Sequence, residues 1–229
     1  MPRFRLCYRQ EGRARYVSHL DIVRAFERAT RRAGLRLLYS QGFNPRPKLT
    51  FAAPLAVGVS GCREYLDLEL EEEREPVEVL EALRSNLPDG LVPVAVRVVA
   101  DGPALMSLVD RTRYLAVGPV PEGFDARALQ AELAAFLSRG EIVVERRSAK
   151  GLKRKNIRPG IYSLRAGING GKLCLSMELK AGAGNVRPDE VLKALGERLP
   201  LVPDDFAVLR TALMSRDNQL LWGGKGDGE

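Results

Sequence analysis

Apolar and polar positions follow two different periods along the first hundred residues. Residues 3–9 and 63–70 show alternation of polar and apolar residues, which predicts strands. Between them, Ser18 precedes a run of apolar residues at helical spacing that stops at Gly34, so these two residues are the predicted N-cap and C-terminal stop of a helix. The predicted packing face of that helix consists of Leu20, Ile22, Val23 and Phe26. Similar patterns predict extended segments at 13–17, 35–39, 49–52 and 91–100, and a helix from Pro76 to about Asn86. This half therefore has the order β-α-β-β-α-β.

The second half repeats that order of elements. An amphipathic helix is predicted from Asp125 to Ser138, and a hairpin is predicted to turn at Asn169-Gly170-Gly171. The remaining predictions are strands at 111–118, 141–145, 161–168, 172–179 and 205–213, a helix from Pro188 to Arg198, and a basic loop at 146–158. Two such units in tandem predict an α+β fold of two ferredoxin-like domains with antiparallel sheets. The predicted domains are 1–105 and 106–215, followed by a flexible tail at 216–229.

Charge is distributed unevenly along the 229 residues, which carry a net charge of +7. Residues 1–63 hold thirteen Lys and Arg against three Asp and Glu, residues 64–110 hold three against twelve, and residues 111–229 hold twenty against fourteen. Two basic blocks thus flank an acidic one. This pattern favours a surface that faces a polyanion, the alternative being a solvated surface rich in Arg and Glu.

The three cysteines, Cys7, Cys62 and Cys174, lie far apart and show no Cys-x-x-Cys spacing. We interpret them as buried structural thiols, without a disulfide framework, zinc site or iron–sulfur cluster built by this chain. Phosphate-binding glycine loops, metalloprotease helices and serine-hydrolase elbows are also missing from the sequence. The N-terminus has no apolar signal stretch, and no run reaches the roughly 18 apolar residues that span a bilayer. We therefore expect a cytoplasmic protein that carries no cofactor and no metal of its own.

A candidate polar site lies at the start of the first predicted helix. Ser18, His19 and Asp21 stand together there, and His19 is the only histidine in the chain. Beside an arginine-rich surface, His19 is a candidate general acid or base acting on RNA. The alternative is a neutral histidine that caps or packs against the helix start, because the helix dipole disfavours an imidazolium at that end.

Two further segments combine features that suit a nucleic acid. The segment 39–48 interleaves Tyr39 and Phe43 with Arg46 and Lys48 on a path shaped by Gly42 and two prolines, which favours stacking of unpaired bases and contact with phosphates. The alternative is a structural loop whose Phe43 packs into the core. The segment 146–158 has seven basic residues and no acidic one, a density typical of phosphate contact, unless it is a solvated loop without a ligand.

The run YVSHLDIVRAFERATRRAGLRLLYSQGFNPRPKLTFAAPLAVGVSGCREYLDLEL, and more weakly KGLKRKNIRPGIYSL, resembles the radical-SAM-linked protein family, also called the DUF2344 domain. The resemblance spans about residues 3–215. It implies a radical SAM partner protein that carries an iron–sulfur cluster, S-adenosylmethionine and cobalamin, and an RNA or ribosomal substrate. This chain lacks the Cys-x-x-x-Cys-x-x-Cys motif, so it looks like a companion of the catalyst. Arg46 departs from relatives that often have histidine there, which puts any catalytic role of that position in doubt.

We therefore predict an RNA-binding accessory module, not catalytic alone, that presents an RNA or ribosomal substrate to a radical SAM partner. The predicted RNA-binding residues are Arg24, Arg28, Arg31, Arg32, Tyr39, Phe43, Arg46, Lys48, Lys150, Lys153, Arg154, Lys155 and Arg158. One alternative is a metal-independent endoribonuclease using His19, by analogy with tandem ferredoxin-like nucleases. Another is an interaction subunit of the radical SAM enzyme that does not contact nucleic acid.

Overall fold

The computed structural model describes residues 2–148 and 151–222. These residues form two units: the first runs to Asp110 and resumes at Ala212, and the second runs from Arg111 to Thr211. Four α-helices and antiparallel strand pairs occur in the described part of the chain. The prediction of a mixed α+β fold with antiparallel sheets is therefore confirmed. No helix in these residues is long and apolar enough to cross a membrane.

The first unit is built on four strands and two helices. They are β1 (Arg3–Gln10), α1 (His19–Arg32), β2 (Leu49–Phe51), β3 (Ser60–Glu69), α2 (Pro76–Arg84) and β4 (Leu91–Val99). The strands lie in the order β4–β1–β3–β2, and each of these neighbouring pairs is antiparallel. The first and last strands of the order β-α-β-β-α-β are therefore neighbours in space.

One face of this sheet packs against both helices. Phe4, Leu6 and Tyr8 alternate along β1 and are buried together with Leu66 and Leu68 of β3. The helices add their own apolar sides to the same core, namely Ile22, Phe26, Ala29, Val79 and Leu83. At its centre the Phe26 ring meets the rings of Tyr8 and Phe51 edge to face, at centroid distances of 5.0 and 5.6 Å.

The opposite face of the same sheet carries charged and aromatic side chains that are nevertheless buried. Arg5 of β1 pairs in register with Asp67 of β3 on one side and with Arg97 of β4 on the other. Residues 215–222, which we call the C-terminal strap, lie on this face: Leu221 is buried, and the Trp222 ring stacks on Tyr65. These residues fall in the segment predicted as a flexible tail, but in the structure they contact the sheet. Residues 223–229 lie outside the described part.

The second unit contains six strands and two helices. They are β5 (Arg111–Pro119), α3 (Ala126–Leu137), β6 (Val143–Ser148), β7 (Gly151–Asn156), β8 (Ile161–Asn169), β9 (Lys172–Lys180), α4 (Pro188–Gly196) and β10 (Ala207–Met214), whose last three residues are grouped with the first unit. Its sheet has the order β10–β5–β9–β8, whereas β6 and β7 pair only with each other. The predicted hairpin is confirmed: Gly170 and Gly171 have φ of 55° and 71°, the left-handed values that a tight turn between β8 and β9 requires.

Three local predictions differ from the structure. Residues 13–17 were expected to be extended, but a 3-10 helix spans Gly12–Tyr16, because Gly12 turns the chain at a φ of 56°. The segment 35–39 forms single bridges from Leu37 to Leu70 and from Tyr39 to Pro47 in place of a strand. The predicted basic loop 146–158 is largely the β6–β7 hairpin, because its two arms pair with each other as antiparallel strands and Val144 is buried at the start of the first arm.

Candidate nucleic-acid interface

The start of α1 uses two of the predicted polar residues for capping. The backbone N–H of Asp21 donates to Ser18 Oγ (3.2 Å), and this hydroxyl donates to Asp21 Oδ2 (2.7 Å). Arg24 Nη1 donates to Asp21 Oδ1 at 3.0 Å. The hydroxyl bond from Ser18, followed by the bond from Arg24, lowers the pKa of Asp21. Ser18 was correctly predicted as the N-cap, and Asp21 is an ionised carboxylate already engaged by the cap.

His19 lies at the edge of the aromatic core. Its ring is half-buried and meets Phe51 edge to face, with 5.2 Å between the ring centroids. Phe51 in turn contacts Tyr8 and Phe26. The contact with Phe51 favours the packing role that the sequence left open for this histidine.

The four arginines of α1 divide into two pairs. Arg24 forms the exposed ion pair with Asp21, and Arg32 donates to the carbonyl of Asn86. Arg28 and Arg31 are exposed to solvent. Of these four predicted phosphate contacts, Arg28 and Arg31 are therefore better placed to bind a phosphate than Arg24 and Arg32, which are bonded to other groups of the protein.

Residues 40–46, which we call the stacking loop, are held at their base and exposed at their tip. The N–H of Ser40 donates to the carbonyl of Arg46 (2.8 Å), and the N–H of Arg46 donates to Ser40 Oγ (3.0 Å). Two residues further from the tip on each arm of the loop, the N–H of Lys48 donates to the carbonyl of Leu38 (2.7 Å). At the tip Phe43 has a relative exposure of 107%, so the alternative in which Phe43 packs into the core is wrong.

A groove of about 670 Å³ joins the end of α1 to the base of the stacking loop. Arg31, Tyr39 and Pro47 line it, together with Arg36 and two carboxylates, Glu27 and Glu71. Tyr39 is 47% exposed and offers a ring face, while Arg31 offers a cation beside it. Lys48 is turned to Glu69 Oε2 at 2.7 Å, so this predicted phosphate contact is engaged in an ion pair.

Arg36 and Glu71 are groove residues that the sequence reasoning missed. The signal was present for Arg36, since it stands between Leu35 and Leu37, which are both buried, and alternation therefore places it outward. Glu71 had no comparable signal. It reaches the groove because its backbone N–H donates to the carbonyl of Arg36 (2.9 Å), a contact between residues far apart in the chain.

The basic segment of the second unit divides into anchors and exposed charges. Arg146 binds Glu190 (Nη2–Oε2, 2.7 Å) and the side-chain oxygen of Asn185 (2.9 Å), and Lys155 donates to the carbonyl of Asn185. Arg158 donates to the carbonyls of Leu137 (2.7 Å) and Ile161 (3.2 Å). Lys155 and Arg158, predicted as RNA contacts, are thus bound to the protein itself. Lys153 and Arg154 are exposed, and Lys150 lies outside the described residues.

Acidification is expected to detach the β6–β7 hairpin from α4. Burial opposes ionisation of Glu190, but the bonds from Arg146 and from the backbone of Arg187 outweigh it and hold the pKa of Glu190 below its usual value. Ionised Glu190 therefore stabilises the attachment of the hairpin fully above the ordinary glutamate pKa of about 4.3. This stabilisation is lost as the pH falls through the lower pKa that Glu190 has in the folded protein. Amide chemical shifts of Lys155 and Asn185, followed by NMR from pH 6 to pH 3, measure the release.

The Glu190→Gln variant should show the released shifts already at pH 6, whereas Glu145→Gln, at an exposed position of the hairpin, should leave them unchanged. Shifts of Lys155 and Asn185 that stay constant down to pH 3 would contradict the assigned role of Glu190.

The cysteines do not form a disulfide. Cys7 is buried, and burial raises the pKa of its thiol to about 11, whereas Cys62 and Cys174 are half-buried. Within residues 2–148 and 151–222, no group of three or more His, Cys, Asp and Glu is close enough to hold a metal ion.

Comparison with known families now adds to this geometry. The family DUF2344, described as an uncharacterized protein conserved in bacteria, matches residues 3–200. The chain belongs to the DUF2344 family. No curated protein matches this DUF2344 chain.

Among solved structures, a chain of the crystal structure of a Cbf5-Nop10-Gar1 complex is similar, with a TM-score of 0.50 and 13% identity. The match covers 94% of the DUF2344 chain and 50% of that chain, so the protein spans half the length of its structural neighbour. At this identity the likeness concerns the fold alone. An unknown protein from Galdieria sulphuraria matches over 93% of this chain and 98% of its own, with 15% identity and a TM-score of 0.28.

Proposed function

We propose that this DUF2344 protein is an RNA-binding accessory module that presents an RNA or ribosomal substrate to a radical SAM partner. One observation carries the RNA-binding part: a fully exposed phenylalanine stands on a pinned loop, and a groove lined by a tyrosine and an arginine lies at the base of that loop. The strand order β4–β1–β3–β2 of the first unit supports a ferredoxin-like scaffold for the site.

The stacking loop suits unpaired bases. An exposed Phe43 gains nothing from the protein's own core, whereas a base that stacks on an aromatic ring contributes about 1–3 kcal/mol to binding. The hydrogen bonds between Ser40 and Arg46 hold the loop in one shape before binding. Little conformational freedom is then lost when a strand binds, which raises affinity.

The groove suits the nucleotide next to that base. Its volume of about 670 Å³ is in the range of small-ligand sites. Tyr39 provides a second ring and Arg31 provides a cation for a phosphate. The carboxylates of Glu27 and Glu71 can accept from the amino groups of a base. Double-stranded RNA does not offer its bases to rings in this way, so we infer a single-stranded or looped RNA.

The proposal of a radical SAM partner rests on the resemblance of residues 16–70 to radical-SAM-linked proteins. The iron–sulfur cluster, S-adenosylmethionine and cobalamin would be bound by that partner. The exposed side chains of Leu152, Lys153 and Arg154 on β7 are available for this contact. A cytoplasmic location goes with this assignment. The endoribonuclease alternative has less support, because His19 packs on Phe51 while Ser18 and Asp21 serve the helix cap.

Removing the ring of Phe43 or the charge of Arg31 is expected to weaken the binding of a ten-nucleotide single-stranded RNA, but with a different salt dependence. Phe43→Ala should cost about 1–3 kcal/mol, or about 5- to 150-fold in Kd, with the salt dependence unchanged. Arg31→Gln should weaken binding and lower the slope of log Kd against log salt by about 0.7, as for one lost phosphate contact. Fluorescence anisotropy of a labelled RNA at several salt concentrations measures both.

Matched controls are Val77→Ala, an apolar residue on α2 that is 62% exposed, and Arg127→Gln, an exposed arginine on α3. Equal losses of RNA affinity in Phe43→Ala and Val77→Ala would show that the stacking loop does not contact the RNA. If the slope of log Kd against log salt is the same in Arg31→Gln as in the wild type, the groove does not contact a phosphate.

A further inference from the structure

The C-terminal strap is a short segment with few attachments. It begins with a tight turn, in which the N–H of Asn218 donates to the carbonyl of Ser215 (3.0 Å) and the N–H of Ser215 donates to the carbonyl of Gln219 (2.9 Å). Residues 216–219 are exposed. The strap contacts the sheet face through buried Leu221 and half-buried Trp222. It is also joined to the end of β10, where Leu220 bridges Met214 and the N–H of Leu221 donates to the carbonyl of Leu213 (3.3 Å).

Trp222 contacts two side chains of the sheet. Its ring stacks on the Tyr65 ring with 6.2 Å between centroids and 25° between planes, and the Arg97 guanidinium lies 5.0 Å from the indole centroid. Proteins hold unpaired nucleobases through the same two contacts, stacking on an aromatic ring and an arginine guanidinium close to the base. The indole therefore occupies a place that a nucleobase would fit.

Polar groups next to this place also fit a nucleotide. Arg5 uses Nε and Nη2 for Asp67, and its Nη1 donates to the carbonyl of Leu221 at 2.8 Å. That bond ends when the strap leaves, and Nη1 can then donate to an acceptor of the ligand. A neighbouring pocket of about 310 Å³ is lined by Arg3, Arg5 and Arg97. Burial, and after it the Arg5 guanidinium, lower the pKa of Arg97, so an anion beside Arg97 would be favoured.

We propose that the strap is an internal competitor that covers a second nucleotide site, in which a nucleobase replaces Trp222 in its contacts with Tyr65 and Arg97 and its phosphate enters the pocket lined by Arg3, Arg5 and Arg97. This site lies on the opposite face of the sheet from α1 and the stacking loop, because Tyr65 and Asp67 alternate with the core residues Leu66 and Leu68. It is therefore separate from the RNA site proposed above and does not depend on it.

Trp222 is the only tryptophan of the chain, so its fluorescence reports directly on the strap. The wild-type protein is titrated with AMP and with a labelled hexa-adenylate, whose anisotropy measures binding independently. We expect the Trp222 emission to shift to longer wavelength and to become more accessible to acrylamide as either probe binds. Probe binding at saturation with unchanged Trp222 emission would overturn the covered site, while the proposal for the stacking loop would stand.

Variants of the full-length chain give a second test. Trp222→Ala removes the competitor and should tighten AMP binding by about tenfold if the strap leaves the site about a tenth of the time. Adding Arg97→Met to Trp222→Ala should abolish this gain, whereas adding Phe43→Ala should not. Circular dichroism verifies folding of each variant, and Trp222→Phe, which keeps a smaller ring, should fall between wild type and Trp222→Ala. Unchanged or weaker AMP binding in folded Trp222→Ala would overturn the proposal.

Discussion

Replacing Asp67 by alanine is expected to lower the free energy of unfolding by about 3–5 kcal/mol, as is usual when one partner of a buried ion pair is removed. Asp67 accepts from Arg5 Nε at 2.7 Å and from Arg5 Nη2 at 2.9 Å, and both side chains are buried. Arg97 lies directly opposite Arg5 on the other side, so the variant leaves two guanidinium groups on neighbouring strands without their carboxylate. Urea denaturation followed by circular dichroism measures the loss.

Glu69→Ala is the matched control, since Glu69 lies on the same strand and the same face but forms its ion pairs, with Arg3 and Lys48, nearer to solvent. Its expected cost is about 0–1 kcal/mol. The double variant Arg5→Met, Asp67→Leu should recover most of the stability, because the buried Arg5 charge is removed together with its carboxylate partner. A loss in Asp67→Ala no larger than that in Glu69→Ala would refute this account of the buried pair.

Phe26→Ala is expected to destabilise the protein by about 3–5 kcal/mol, through lost burial and the cavity that remains. Phe26 is fully buried, and its ring touches both Tyr8 and Phe51. Phe51 also supports the His19 ring, so the variant should shift the NMR signals of His19 as well. The midpoint of urea unfolding measures the first effect, and a proton–carbon correlation spectrum of His19 measures the second.

Leu20→Ala on the same helix provides the comparison, because Leu20 is 68% exposed and should change stability by no more than about 0.5 kcal/mol. Similar losses in Leu20→Ala and Phe26→Ala would mean that the aromatic cluster is not the centre of this core.

Local signals in the sequence predicted most of the local structure. Ser18 and Asp125 were identified at the starts of α1 and α3, and in the structure their side chains accept from the backbone N–H three residues on. Two glycines predicted the turn between β8 and β9 because few other residues adopt positive φ. The candidate loop was also identified from composition, since Gly42 and two prolines restrict its path while Phe43 remains outside every apolar pattern.

Features that depend on distant partners were not predictable in this way. Helical spacing placed Leu20 on the packing face of α1, but Leu20 is exposed among the described residues, because it lies at the first turn of the helix and outside the buried cluster around Phe26. Arg5 reads as an outward polar residue of an alternating strand, and only the pairing of β1 with β3 brings Asp67 against it, 62 residues later. Most of the strap lies in the segment 216–229, which was predicted to be a flexible tail, whereas Leu221 and Trp222 contact the sheet.

The division of the chain has a consequence for the order in which the protein folds during synthesis. The first unit combines two separate stretches of the chain, since residues 212–222 are grouped with residues up to Asp110. All of the second unit, Arg111 to Thr211, is thus translated before the first unit has its last pieces. Translation from the N-terminus normally lets the first domain fold first. Here the ribosome completes the second unit before it synthesises Leu221 and Trp222. The sheet face around Tyr65 and Asp67 therefore lacks these two contacts until the second unit has been made.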